Sequence, residues 1–160
     1  PPVNHPAPAA AGAIRSGAVM VTSNPILWPG LALVALTFVV AGVMYRRRIG
    51  EMVRERIHPQ SVALSGQLAQ RLSDSRASDN YRNLFELPVL FYFGVAVALA
   101  VGVRDPWVVA LAWGFVALRI AHSAIQCGYN KVMHRFRVFL LGVAVLLLFW
   151  IRLGWLLAQA

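Results

Sequence analysis

Charge is scarce in this chain and acidic charge scarcest: 13% of its 160 residues are charged, and six of them are acids. A soluble domain carries about 25% charge, so an ordinary soluble fold is excluded. Lysine is almost missing as well, with Lys131 standing against 14 arginines. Cys127 is the one cysteine, which rules out an internal disulfide and leaves the redox compartment unreadable. It reads as a small buried hydrophobe rather than a reactive thiol. His5, His58, His122 and His134 are too scattered for metal ligation, and no Cys/His spacing suggests zinc or haem. No internal repeat is present, which argues against a transporter built from inverted halves.

Apolar sequence fills the space that charge leaves. The chain is 59% hydrophobic with a mean hydropathy of +0.63. Four stretches, near 26–45, 84–103, 107–127 and 137–157, are long enough to cross a hydrocarbon core, which takes roughly 20 helical residues. They predict an all-α membrane protein, a four-transmembrane-helix bundle in contact with the lipid bilayer. Residues 1–19, rich in Pro, Ala and Gly, read as a flexible extension. Residues 20–160 form the transmembrane domain, with Met20 the expected native start.

The net charge of +9 would suggest nucleic acid in a soluble protein. Here no soluble fold is left to present a groove-reading element, so a nucleic-acid partner is not expected. The arginines gather in two of the three loops instead. The segment 46–82 holds eight Arg against four acids, and 131–137 adds three bases. By the positive-inside rule these loops are cytoplasmic and both termini lie on the non-cytoplasmic side. Arg152, in the last span, weakly opposes this.

Local signals set the details. Asn24-Pro25 offers a helix start, and Tyr45-Arg46-Arg47-Arg48 ends the first span. Residues 61–72 have the pattern of a short amphipathic surface helix. Helix is expected to run unbroken from Asp79 through Glu86 into span two. Gly94, Ala98 and Gly102 make a small-residue stripe for close helix approach, and the short 102–106 link makes spans two and three an antiparallel hairpin.

On that helix Asp79, Arg82/Asn83 and Glu86 share one face, as do Arg119, His122, Gln126 and Tyr129 on span three. Folding the hairpin near residue 104 sets Glu86 opposite residue 122, about one turn, some 5 Å, from Arg119. The expectation is a polar layer with a Glu86–Arg119 pair. A lone buried pair is a poor stabiliser. Arg82, Asn83, His122, Arg135 and Arg137 leave surplus positive charge, and that surplus invites an anion.

Arg82-Asn83-x-x-Glu86 with Pro88 behind it, then Arg119-Ile120-Ala121-His122, then Arg135, resembles the MAPEG family over about residues 25–157. These are membrane-associated proteins of eicosanoid and glutathione metabolism, including microsomal glutathione transferases. The resemblance implies a homotrimer with glutathione bound between neighbouring subunits. It implies glutathione contacts from Arg82, Asn83 and Glu86, with Arg119 pairing that glutamate; helical spacing places His122 in the same ligand-binding layer, as a polar packing residue rather than an acid–base catalyst. Arg135 takes the position beside the thiol, the catalytic assignment, and either Arg46 or Arg48 contributes from helix one. Ser123 and Tyr129 are weaker candidates for a hydroxyl donor.

Asp79, Gln126 and Phe139 depart from the prostaglandin synthase pattern, which has an arginine and two tyrosines there. This argues against a prostaglandin-specific isomerase. The implied activity is a glutathione-dependent transferase or peroxidase acting on lipophilic electrophiles at the cytoplasmic side. The alternative is a non-catalytic scaffold, lipid-binding or accessory subunit.

Overall fold

Helices account for nearly all of residues 24–62 and 74–159, the part of the chain that the computed structural model describes. The extension, the proposed start at Met20 and most of the amphipathic segment at 61–72 lie outside these residues. The elements are α1 (Leu27–Arg54), α2 (Arg76–Asn83), α3 (Leu87–Ala100), α4 (Pro106–Cys127) and α5 (Val132–Leu157). A short 3-10 turn, Pro59–Val62, follows α1. Four segments are long and apolar enough to cross a membrane: α1, α2 with α3, α4 and α5. Phe38, Phe93, Leu147 and Ile151 are exposed on their outer faces, as helix surfaces solvated by lipid require.

Two expectations are corrected. The arginine run does not end α1, which continues to Arg54 and is 28 residues long, about 42 Å at 1.5 Å per residue. Arginine is a good helix former, so a topological stop is not a helical one. The second span does not run unbroken from Asp79 either. It breaks at 84–86, where Glu86 takes φ −99° and ψ −99°. Pro88 causes this: it has no N–H to donate, and its ring would collide with the carbonyl of Leu84 in a continuous helix.

Aromatic packing holds the middle of the bundle. Phe91 of α3 stacks on Phe115 of α4 at 4.9 Å between ring centroids and lies 5.8 Å from Phe149 of α5. Each such ring pair adds about 0.5–1.5 kcal/mol beyond area burial. Phe149 fits only because residue 94 is glycine; a Cβ there would collide with its ring. Of the small-residue stripe, Gly94 thus serves close packing of α3 on α5, whereas Gly102 lies beyond α3 with φ +71° and open space where a Cβ would be, a turn glycine.

Polar side chains clamp the two ends. At one end Asp105 caps α4, accepting from the Val108 amide at 3.0 Å, while Arg152 of α5 bonds it at 2.6 Å. Hydrogen bonding from Arg152 holds the Asp105 carboxyl below its ordinary range. Asn24 accepts from the Ile26 amide (3.1 Å) and donates to the Val103 carbonyl (2.9 Å), tying the start of α1 to the hairpin link.

At the other end two arginines donate to carbonyls at the end of α4: Arg47 to Cys127, its last residue, at 2.7 Å and Arg76 to Gly128, just beyond it, at 2.8 Å. Helix C-termini favour such cations. Asp74 bridges the two, 2.8 Å from Arg76 and 3.4 Å from Arg47. Hydrogen bonding from Arg76 depresses its pKa, with the nearby charge of Arg47 adding to the effect.

Candidate functional site

A buried polar layer is present, but of Arg82, Asn83, Glu86, Arg119 and His122, the residues expected in it, only Arg119 and His122 are buried, with Asn83 half-buried at its edge. Asn80, Arg119, His122, Ser123 and Gln126 are all nearly inaccessible. Their spacing explains the clustering: Arg119, His122, Ser123 and Gln126 fall three to four apart on α4, and Asn80 and Asn83 do the same on α2.

The half of the layer nearest the arginine-rich end is internally satisfied. Asn83 donates to the Gln126 side-chain oxygen at 3.1 Å. Ser123 donates to the Asn80 side-chain oxygen at 3.3 Å, and the Asn80 amide group points at the Cys127 sulfur, 3.5 Å away. These contacts join α2 to α4 across the interior.

The other half is not satisfied. Arg119 is 1% exposed, and its Nε and Nη2 have no hydrogen-bond partner among the described residues. Its guanidinium carbon lies 5.3 Å from the Phe115 ring centroid and 5.4 Å from that of Phe139. Cation–π contact offsets part of the desolvation cost, but ring faces accept no conventional hydrogen bonds from the remaining N–H groups. His122 sits beside it, 6.1 Å from the same Phe139 ring and within electrostatic reach of both Arg119 and Arg135. On α5 Arg135, Phe139 and Gly142 recur at four and three and so share a face. Gly142 leaves the notch that the guanidinium occupies.

The structure therefore brings Asn83, Arg119, His122 and Arg135 toward one region. It does not bring Glu86 there. Glu86 and Arg82 are exposed, and neither side chain makes a hydrogen bond or ion pair among the described residues. The expected Glu86–Arg119 pair is absent within the chain. The break forced by Pro88 is the reason, since Glu86 no longer follows the helical register of Asn83. Arg135 is half-buried and donates from Nη1 to Asn130 at 3.0 Å.

Of the helix-one arginines, Arg48 turns toward α2, bonding Ser78 at 3.4 Å with a buried Nε that lacks a partner among the described residues. Arg46 instead lines a basic pocket of about 370 Å³ with Arg47, Gly50, Glu51, Arg54 and Asp74. Sequence reasoning passed over Asn80, Arg47 and Gly142. Only Asn80 carried a readable signal, one helical turn before Asn83.

A second cavity, about 600 Å³, opens between α1 and the α2–α3 segment. Its lining is apolar and aromatic, with Phe38, Tyr45, Tyr81, Leu84, Phe85 and Tyr92 prominent. Tyr81 of α2 and Phe85 within the helix break pack edge to face at 5.0 Å. Among the described residues no group of three His, Cys, Asp or Glu is placed to hold a metal ion.

A multi-pass helical membrane bundle with an arginine-bearing polar layer near one end is the class that these observations define. The chain belongs to the MAPEG family, whose sequence profile matches residues 26–155. It is thus a membrane protein of the family associated with glutathione and eicosanoid metabolism. No curated protein and no solved structure matches it significantly.

Proposed function

We propose that this protein is a glutathione-dependent membrane transferase or peroxidase that presents a glutathione thiolate to lipophilic electrophiles. The observation that carries this reading is the buried Arg119 guanidinium with two unpartnered nitrogens. A buried cation without acceptors is costly, and a carboxylate from outside the chain repairs the deficit. Glutathione offers two carboxylates, and planar arginine forks match carboxylates bidentately.

In the proposed assembly, a homotrimer, glutathione lies between subunits near the arginine-rich end, which faces the cytoplasm by the positive-inside rule. Exposure of Arg82 and Glu86 at the α2–α3 break suits residues that meet a ligand or a neighbouring subunit. Asn83 keeps its side-chain oxygen for ligand N–H groups, because its side-chain NH2 is the group that donates to Gln126. Arg119 and His122 line the buried side, and Arg48 is the helix-one arginine turned toward α2.

Arg135 is the catalytic group. A free thiol has a pKa of about 8.5, and lowering it two units requires about 2.7 kcal/mol of preference for the anion. One guanidinium in a partly dry site is sufficient. The sulfur then attacks the electrophile, forming a carbon–sulfur bond as the leaving group departs, or reduces a hydroperoxide as a second thiol completes the disulfide. The aromatic cavity beside α1 suits an apolar second substrate arriving from the bilayer.

The test is conjugation of glutathione to an activated lipophilic aryl halide by the purified protein in detergent. Turnover above the uncatalysed rate, lost in Arg135→Ala with glutathione still bound, is the expected result. Glutathione binding without turnover toward an aryl halide or a lipid hydroperoxide would favour the scaffold.

A further inference from the structure

We propose that Asn130 is a positioning residue that aims the Arg135 guanidinium at the glutathione thiol without cancelling its charge. The inference rests on the glutathione reading above and deepens it.

Three observations support it. The Asn130 side-chain oxygen accepts from Arg135 Nη1 at 3.0 Å, five residues along the chain. Asn130 also stands in the left-handed region, with φ +50°, where asparagine is among the few tolerated residues. Its backbone already closes the end of α4, donating from N–H to the Ile125 carbonyl at 2.8 Å. Glycine would meet that backbone requirement at least as well, so the turn alone does not call for the amide side chain.

The neutrality of the contact matters as much as its geometry. An arginine in the first turn of a helix has four rotatable side-chain bonds and would sample many orientations at a cost to any one of them. A carboxylate would fix it but would offset the positive charge that lowers a thiol pKa. An amide oxygen fixes it and leaves the charge whole. Among the described residues Arg135 makes no ion pair, and its other N–H groups are left for a ligand. A separate contact in the same turn, Tyr129 to His134 at 3.2 Å, braces the helix start without involving Arg135.

The experiment titrates the ultraviolet thiolate band of glutathione bound to the full chain in detergent, with calorimetry for affinity. Asn130→Gly keeps the backbone and removes the acceptor. Its bound thiol should titrate about one unit higher, a roughly tenfold loss of thiolate well below that pKa, with glutathione affinity unchanged. In an Arg135→Ala background the same change should have no further effect. Asn130→Asp restores the acceptor but adds a negative charge, so it too should raise the thiol pKa. His134→Ala, which breaks only the neighbouring contact, should leave it unmoved.

An unchanged thiol pKa in both Asn130 variants would overturn the positioning role while leaving the glutathione reading intact. An equal shift in the Arg135→Ala background would overturn it as well. Absence of glutathione binding in the wild-type protein would instead bring down the reading on which it rests.

Discussion

Gly142 of α5 faces the guanidinium of Arg119 so closely that a Cβ at position 142 would lie 2.7 Å from Nη2. The absence of a side chain on one helix thus sets where the buried cation of another can sit. Gly142→Ala should push the guanidinium out of its place between Phe115 and Phe139. Because the displaced atom ends a long side chain, the stability cost should be near the low end of the roughly 1–3 kcal/mol typical of overpacking. Glutathione affinity should suffer more. Gly114→Ala is the control: its Cβ would meet Val145 at an ordinary 3.6 Å, so helix propensity should leave stability equal or raised. Thermal unfolding and calorimetry on both variants check this.

Arg119 should trade stability for binding. Replacing a poorly satisfied buried charge with an apolar side chain of similar volume is often neutral or stabilising by about 1–4 kcal/mol. Arg119→Met should therefore unfold no lower than wild type without ligand and lose the upward shift that glutathione gives wild type. A variant that unfolds well below wild type in the absence of ligand would mean that the charge has a structural partner.

Asn80 should prove structural. Its side chain serves Ser123 and Cys127 at once, and its removal leaves buried polar groups unpaired at a cost of about 1–3 kcal/mol. Asn80→Ala should lower thermal stability by that order without changing the thiol pKa of bound glutathione. Loss of thiolate with stability intact would move Asn80 into the site.

Much of the fold was legible because lipid imposes a simple rule: each crossing needs about 20 apolar residues. The four spans, the hairpin at Gly102 and the polar face of α4 followed from that rule and from helical spacing. Side-chain rotation across helices was harder to read. Asn83 kept its expected register, but Glu86 did not, because Pro88 breaks the helix between them. Whether Arg46, Arg47 or Arg48 enters the bundle depends on how α1 rolls against α2 and α4, which no local pattern in α1 states. The link between Arg119, Phe139 and Gly142 likewise depends on the stagger of α4 against α5.

The Asp105–Arg152 clamp should show in acid. The folded carboxyl titrates below its ordinary value of 3.8, so the unfolded chain takes up the proton first. The stability it contributes is whole above about pH 4 and is lost as pH falls through the lowered folded value. Asp105→Asn should flatten that part of the dependence in unfolding midpoints recorded between about pH 3 and 6. Equal acid sensitivity in the two proteins would assign the effect elsewhere.

The central claim is that the buried cation of this bundle exists to meet an anionic ligand, and calorimetric titration of the detergent-purified protein with glutathione tests it most directly. The account predicts saturable binding by wild type and none by folded Arg119→Met. Wild type that takes up no heat at millimolar glutathione, or Arg119→Met that binds as well as wild type, would contradict it.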